Sequence, residues 1–229
     1  YMCNACHHLQ NIDVVDPNLL FGNYTYKTSH SLGLVDHFKR YADHAIDKLG
    51  IPKPSFILEI GSNDGSLLNE FQSKGHRVLG IDASSHVAEF ANNRGIQTIA
   101  NFFSYDLALG ISNEHGKANL ICANNVYAHA DNLRDITKGI RHMLSDDGVF
   151  VFEVSYLPDM VRNMVFDTIY HEHVSYHTIL PLEKFFNSLD LSFFDIEFIS
   201  TKGGSLRGFV QVQSTGTRKP TSDLQKAMD

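Results

Sequence analysis

Short apolar runs alternate with amphipathic segments over residues 55–156, and this alternation most constrains how the chain folds. The runs with the length and composition of buried strands are SFILEIGS, RVLGID, QTIA, ANLICANN and VFVFEVSY. Helical segments that end at Gly75 and Gly95 separate the first three runs, a loop-rich connection precedes the fourth, and the helix LRDITKGIRHML precedes the fifth. Such alternation predicts a parallel sheet with helices on both faces.

The segments on either side of this unit complete the predicted architecture. Residues 31–49 predict an amphipathic helix closed by Gly50, with apolar side chains three and four apart at Leu34, Phe38, Tyr41, Ala45 and Leu49. At the other end, a helix precedes two strands, SFFDIEFIS and SLRGFVQVQS, whose TKGG connection predicts an antiparallel edge hairpin. The result is an α/β fold with a seven-stranded, mostly parallel sheet, similar to the layout of class I S-adenosylmethionine (SAM) methyltransferases.

Composition argues against some classes of binding partner and indicates a cellular location. The 229 residues include 19 basic and 26 acidic ones, a formal charge of −7, and no block of five basic residues. A nucleic-acid partner is therefore not expected, because phosphate binding needs clustered positive charge. No apolar run reaches the roughly 18 residues that span a bilayer. Three Cys and no leader-like segment predict a reducing, cytoplasmic location.

A glycine pair between the first strand and its helix predicts a nucleotide-type ligand. In LEIGSNDGSLL, Gly61 and Gly65 allow close approach of backbone and ligand, and Glu59 precedes them. Asp82 ends the next strand, where an acid can accept from ribose hydroxyls. NAD is the competing ligand, but its G-x-G-x-x-G pattern is missing a glycine here. The pattern favours SAM.

The ends of the third and fourth strands face the same crevice in such a sheet. Asn101 and Phe102 follow the third strand and are expected to contact an adenine, whereas Phe103 is either a further contact or core. Asn124 and Asn125 end the fourth strand. The predicted cofactor-binding residues are Glu59, Gly61, Asn63, Gly65, Asp82, Asn101, Phe102, Asn124 and Asn125.

The stretch YHEHVSYH, residues 170–177, follows the fifth strand and leaves three interpretations open. His173 and His177 have a helical spacing that suits zinc, but no third ligand is implied. The imidazoles are alternatively hydrogen-bonded structural groups, which is the favoured interpretation of His171 and His177. In the third interpretation, a His beside a Glu and a Tyr serves as a general base.

Four motifs together resemble the SAM-dependent C-methyltransferases of deoxysugar biosynthesis, which methylate nucleotide-linked 4-keto-deoxyhexoses, typically at C3. The motifs are LEIGSNDGSLL, CANNVYAHADN, YHEH after FDTIY, and GGSLR. The resemblance covers residues 1 to about 213. GGSLR is the least clear of the four, because its glycines are also explained by the hairpin turn, with Arg207 at the surface.

The resemblance implies a role for each catalytic candidate. His173 is expected to remove the proton next to the ketone, and Glu172 to orient it or share that role. Tyr170 and His129 are expected to hydrogen-bond the ketone oxygen and stabilise the enolate. Tyr24 matches a mobile tyrosine-bearing loop that closes over the family's active site and excludes water.

The resemblance also implies the domain organisation. Residues 1–30 are expected to be a remnant of a small zinc-binding domain plus the tyrosine-bearing loop, residues 31–215 the methyltransferase domain, and residues 216–229 the start of a truncated segment. Cys3 and Cys6 match one of the family's Cys pairs, so zinc is expected only if further ligands are supplied upstream. Two rival functions stay open: a small-molecule O- or N-methyltransferase, and a non-catalytic SAM-binding module.

Overall fold

A computed structural model describes residues 1–22, 24–31 and 33–228, and its main feature is a seven-stranded sheet. The strands are β1 (Leu9–Gln10), β2 (Phe56–Ile60), β3 (Arg77–Asp82), β4 (Thr98–Ala100), β5 (Ala118–Asn124), β6 (Leu144–Ser155), β7 (Ser175–Tyr176), β8 (Leu191–Ile199) and β9 (Ser205–Val212). The sheet order is β4-β3-β2-β5-β6-β9-β8. Strands β2 to β6 are parallel, whereas β9 is antiparallel to both β6 and β8. The predicted sheet and terminal hairpin are confirmed.

Helices cover both faces of the sheet. They are α1 (Pro17–Phe21), α2 (Leu34–Leu49), α3 (Ser66–Ser73), α4 (Ser85–Asn93), α5 (Tyr105–His115), α6 (Leu133–Met143), α7 (Leu157–Arg162), α8 (Ile179–Asn187) and α9 (Ser222–Met228). The prediction of α2 is confirmed, including its end at Gly50, which adopts a left-handed conformation. Among the described helices, none is long and apolar enough to cross a membrane.

One connection was predicted wrongly. A loop-rich segment was expected before the fourth strand, but α5 occupies Tyr105–His115. The Ser104 side chain accepts a hydrogen bond from the backbone N–H of Leu107 at 3.2 Å, which caps the start of the helix. Gly116 ends it with a backbone N–H that donates to Ser112 O. Both signals are present in the sequence, so the error lay in the weak apolar periodicity of the segment.

Both faces of the sheet are buried. Along β6, Phe150 and Phe152 point into one apolar layer, whereas Val149 and Val151 point into the other. The layer that contains the two Val residues also packs against Phe38 of α2. Parallel strands buried on both faces read as continuous apolar runs, which explains why the sequence pattern located them.

Arg207 of the terminal hairpin lies in the interior, so its predicted surface position is wrong. Its Nε donates to Glu153 Oε1 at 2.8 Å, and its Nη1 donates to Glu197 Oε2 at 3.1 Å. Its guanidinium lies 4.4 Å from the centre of the Tyr41 ring. These contacts link β6, β8 and β9 to α2, and losing one charge of the buried Arg207–Glu153 pair would leave the other unpaired.

Two terminal segments pack against this unit. Strand β1 pairs with β7 in antiparallel register, with Leu9 opposite Tyr176. At the other end, Thr221 precedes α9 and its backbone N–H donates to Phe194 O at 2.9 Å, while Leu224 is buried. The N-terminal segment therefore lies against the stretch that follows β6, next to the carboxyl edge of the parallel strands.

Candidate functional site

The loop between β2 and α3 brings backbone into the crevice at the carboxyl edge of the sheet. Gly61 and Gly65 have φ values of +69° and +75°, which favour glycine. A Cβ atom on Gly61 would lie 2.3 Å from Cγ2 of Val126, so a side chain does not fit there. The Gly61 N–H donates to Ile81 O at 2.7 Å, which ties this loop to the end of β3.

Asp82 organises the loops that follow β2 and β3. Its Oδ2 accepts from the backbone N–H of Asn63 at 2.8 Å, and its Oδ1 accepts from that of Ser84 at 2.9 Å. Burial raises the pKa of the Asp82 carboxyl. Each carboxylate oxygen has a second lone pair, so Asp82 can hold the loops and still accept from a ligand hydroxyl.

Glu59 is a buried acid without a complete set of partners. It is 3% exposed, and its Oε2 has no hydrogen-bond partner among the described residues. Burial, together with the nearby Asp82 and Asp64 carboxylates, raises the pKa of Glu59 well above its ordinary value. In the same part of the chain that the structure describes, Ser62 Oγ and both amide atoms of Asn124 are likewise buried and unpaired. A ligand with a cationic group and hydrogen-bonding atoms would satisfy these groups.

The other predicted cofactor residues lie around the same edge. The backbone N–H of Asn101 donates to Asp82 O at 2.9 Å, and Phe102 is 37% exposed and free to contact a ligand. Phe103 is buried against Gly139, so it belongs to the core. Asn125 has a φ of +56°, and its N–H donates to Glu153 O at 2.7 Å.

The histidine-rich stretch forms a turn beside this edge. The backbone N–H of His173 donates to Tyr170 O at 3.1 Å. The Nδ1–H of His173 donates to Thr168 O at 2.6 Å, while its Nε2 lies 3.4 Å from the Tyr170 hydroxyl. The Nδ1–H of His129 donates to Glu172 O at 2.9 Å, and the two imidazole centres are 5.0 Å apart. The fold therefore brings together Tyr170, Glu172, His173 and His129.

Both imidazoles are poised in the neutral form. Burial lowers the pKa of His129 to about 4 and also lowers that of His173. A neutral ring that donates from Nδ1 to a carbonyl keeps a lone pair on Nε2. Each ring therefore offers one proton-accepting nitrogen at neutral pH, and the hydrogen bond at Nδ1 fixes which one.

An aromatic segment reaches the same place from the N-terminal side. The ring of Phe21 packs edge-on against that of His129, with centres 5.4 Å apart, and the Tyr24 ring lies 6.1 Å from Phe21. Burial raises the pKa of the Tyr24 hydroxyl, and the negative charge of Glu172 raises it further. Sequence reasoning missed Phe21, although Asp16 followed by Pro17 is a helix-start signal that predicts α1.

Residues 24–31 are bonded to the loops after β2 and β3. Backbone N–H groups of Thr28 and Ser29 donate to Asn63 Oδ1 and Asp64 Oδ2, at 2.9 and 2.8 Å. The Ser84 hydroxyl donates to Tyr24 O at 2.7 Å. Asp64 was not predicted as a functional residue. It also accepts from the Ser66 hydroxyl at 2.6 Å, so it joins this N-terminal segment to the start of α3.

The remaining candidates lie apart from this cluster. Among the described residues, no group of three or more His, Cys, Asp or Glu is arranged to hold a metal ion. The backbone N–H of Cys6 lowers the pKa of the Cys3 thiol, but two thiols do not fill a four-coordinate site. Zinc binding therefore stays a prediction that needs further ligands. His171 is exposed, whereas His177 is fully buried, with a pKa of about 3 caused by burial.

Comparison with known proteins places the chain among methyltransferases. A protein family described as a methyltransferase domain matches residues 35–193. The C-methyltransferase NovU of Streptomyces niveus is 33% identical over 205 residues, which make up 90% of this chain and 49% of that protein. The chain therefore spans about half the length of this curated relative.

Solved structures confirm the fold. The PH0226 protein of Pyrococcus horikoshii OT3 superposes with a TM-score of 0.65 at 14% identity, covering 86% of this chain and 98% of that one. Magnesium protoporphyrin IX methyltransferase from Synechocystis PCC 6803, solved with bound SAH, gives a TM-score of 0.58 at 15% identity, covering 78% and 83%. At these identities the likeness establishes the class I methyltransferase fold and nothing finer.

Proposed function

The chain belongs to the methyltransferase-domain family, and from that premise we propose that it is a SAM-dependent C-methyltransferase. Its proposed substrate is a nucleotide-linked 4-keto-deoxysugar, which it deprotonates next to the ketone and methylates at the resulting enolate carbon. The observation that carries this proposal is the pair of neutral imidazoles, 5.0 Å apart, beside Tyr170, Glu172 and Tyr24. Methylation of an oxygen or nitrogen acceptor forms no enolate, so it needs at most one base, whereas methylation of a carbon next to a ketone needs both a base and a donor for the enolate oxygen.

The residues around the glycine loop fit SAM. Its ammonium would satisfy the unpaired Oε2 of Glu59, and its ribose hydroxyls would reach Asp82. The proposed binding residues are Glu59, Gly61, Asn63, Gly65, Asp82, Asn101, Phe102, Asn124 and Asn125. Of these, Asn63 also donates from Nδ2 to Tyr26 O at 2.9 Å, so it holds the N-terminal segment as well. When bound, SAM supplies an electrophilic methyl group.

His173 is the proposed base. Its Nε2 takes the proton from the carbon next to the ketone, and the electron pair of the broken C–H bond moves into the enolate. Thr168 O holds the opposite nitrogen, so the ring presents Nε2 in one orientation. Burial lowers the pKa of His173, and the negative charge of Glu172 offsets part of this shift and stabilises the imidazolium that forms.

The developing enolate oxygen needs a hydrogen-bond donor. The Tyr170 hydroxyl lies 3.4 Å from His173 Nε2, next to where the proton is removed, so we assign it this role. His129 donates its Nδ1–H to Glu172 O, so at neutral pH its Nε2 is an acceptor. We therefore assign His129 to a sugar hydroxyl, in place of the ketone oxygen that the sequence suggested. Tyr24 covers the reacting atoms.

Two further proposals concern the setting of the protein. The sparse and odd number of Cys residues, three in 229, supports the reducing cytoplasm as its location. The net charge of −7 supports a small-molecule substrate over a nucleic acid. A nucleotide-linked sugar needs only local positive charge.

Solvent exchange tests the proposed reaction. The protein is mixed with a nucleotide-linked 4-keto-deoxysugar in deuterated water without SAM, and the sugar is followed by mass spectrometry and NMR. We expect deuterium to enter at the carbon next to the ketone faster than in buffer alone, because His173 removes that proton without needing a methyl donor. Exchange at the buffer rate, together with methylation of an oxygen or nitrogen when SAM is added, would instead assign an O- or N-methyltransferase.

A further inference from the structure

The N-terminal strand extends to the turn that contains the proposed base. Leu9 and Gln10 of β1 pair with Tyr176 and Ser175 of β7. The backbone N–H of the next residue, Asn11, donates to Val174 O at 2.9 Å. The antiparallel pairing thus continues toward His173.

The side chain of Asn11 closes that turn. Its Nδ2 donates to His173 O at 2.9 Å and to Tyr170 O at 3.3 Å. Since both partners are carbonyl oxygens, the amide nitrogen must face them. Tyr170 O also accepts from the His173 N–H, so one amide holds both ends of a four-residue turn.

We propose that Asn11 is a positioning residue for the C-methylation proposed above, an inference that rests on that function. The two carbonyls it holds belong to Tyr170 and His173, whose side chains are the proposed hydrogen-bond donor and base. Thr168 O holds the side chain of His173, and Asn11 Nδ2 holds its backbone carbonyl. A reacting group displaced by about 1 Å can lose roughly 100-fold in rate, so this restraint affects catalysis without contact with substrate.

The same restraint explains why the N-terminal segment belongs to the active site. The hydroxyl of Ser175 and Nε2 of His8 lie 3.1 Å apart, which gives this pairing a side-chain contact as well. Asn11 is 162 residues from His173 along the chain, so no local sequence signal links them. The pairing of β1 with β7 determines their contact.

Asn11→Asp is the decisive variant. It keeps the size of the side chain but replaces the NH2 donor by an oxygen that repels both carbonyls. The matched control is Asn4→Asp, which makes the same charge change on the same segment; Asn4 is exposed, and its side chain has no hydrogen bond within the described residues. Asn11→Ala is a second variant without the added charge.

The measurements separate positioning from general damage. For Asn11→Asp we expect kcat to fall by about 10- to 100-fold, while the KM for SAM and the dissociation constant of SAH stay within about twofold. We also expect faster amide hydrogen exchange at residues 170–174. Asn11→Ala should change kcat and the amide exchange of residues 170–174 in the same direction but by less. Asn4→Asp should leave both kcat and amide exchange unchanged.

Two outcomes would overturn the inference. One is an Asn11→Asp variant with the kcat and amide exchange of Asn4→Asp. The other is a parallel loss of kcat and SAH affinity, because that pattern reports general loosening. If the unmodified protein binds SAH but neither exchanges nor methylates any ketosugar, the proposed function fails, whereas amide exchange still shows whether Asn11 holds the turn.

Discussion

The two halves of the candidate site are assembled in different ways. The proposed cofactor side consists of Glu59, Gly61, Gly65 and Asp82, which lie within 24 consecutive residues. Hydrogen bonds from the backbone N–H groups of Gly61 and Asn63 to Ile81 O and Asp82 Oδ2 join its two loops. The acceptor side consists of Tyr24, His129, Tyr170, Glu172 and His173, which come from three distant segments. Ligand binding can therefore be encoded by one strand-turn-helix unit, whereas the proposed chemistry depends on long-range packing.

Burial shifts the pKa values of the two sides in opposite directions. On the cofactor side it raises the pKa of Glu59 and Asp82, and on the acceptor side it lowers the pKa of His129 and His173. The cause is common, since low dielectric disfavours charge of either sign. A cationic ligand would restore the ionised acids on one side, while the neutral imidazoles on the other side are ready to accept a proton.

The variant with the largest expected effect impairs the acceptor side alone. In His173→Asn, no imidazole accepts the proton, so we expect kcat to fall by about 10²- to 10⁴-fold. SAH affinity should stay within about twofold, because the cofactor side does not contact this ring. Calorimetric SAH binding and steady-state kinetics measure the two quantities. His171→Asn is the control, because His171 is exposed and only Glu172 separates it from His173 in the sequence. Deuterium exchange that persists in His173→Asn would contradict the assignment of His173 as the base.

We expect low pH to destabilise the acceptor side before it destabilises the cofactor side. The pKa of His129 is about 4 when folded and 6.5 as its ordinary value, so between pH 6.5 and 4 the unfolded chain binds more protons. Stability therefore falls as pH falls through this window, by about 2 kcal/mol at pH 5 for this group. Raised carboxyl pKa values act in the opposite direction, because folded Glu59 and Asp82 bind protons more readily than the unfolded chain.

Amide exchange protection factors at pH 7 and pH 5 test this contrast. We expect residues 166–177 to lose protection while residues 56–66 keep theirs. His177 contributes to the same loss, because its ring is fully buried with a pKa of about 3. His177→Leu should therefore reduce the loss at pH 5. A uniform fall over both segments would show that the two sides do not differ in this way.

The sequence predicted the fold in detail because most of its signals are local. Strands buried on both faces appear as apolar runs, and α2 repeats its apolar residues at helical spacing. The exception is α5, whose capping Ser104 was overlooked because its apolar stripe is weak. The burial of Arg207 could not be predicted in this way, since its partners Glu153 and Glu197 lie on other strands.

The placement of the candidate residues was predictable in part, whereas their roles stay proposals. Asp82 lies at the predicted strand end, and the four residues of the acceptor side from His129 to His173 come together as the motifs suggested. Phe21, Asp64 and Asn11 were missed. Each acts through a contact with a distant segment, and the residue type alone, an aromatic, an acid or an amide, does not identify the partner.

The variant with the smallest expected effect changes the proposed cofactor side and leaves the turn at residues 170–174 unchanged. Gly61→Ala places a Cβ atom 2.3 Å from Val126 Cγ2 at a φ of +69°, so the loop must move. We expect the free energy of unfolding to fall by about 1–3 kcal/mol and SAH affinity to fall by about tenfold. Urea unfolding and calorimetric titration measure these two changes, and amide exchange at residues 170–174 should not change.

Gly75→Ala separates the two causes of that loss. Gly75 also has a positive φ, +88°, but a Cβ atom there would lie within 4 Å of no other atom in the described residues. The variant therefore carries the backbone strain, about 1–2 kcal/mol, without moving the glycine loop, and its SAH affinity should match that of the unmodified protein. Equal SAH affinity in the two variants would mean that the position of the Gly61 backbone does not govern binding. A large difference would show that the cofactor side depends on close backbone approach at Gly61, just as the acceptor side depends on long-range restraints such as Asn11.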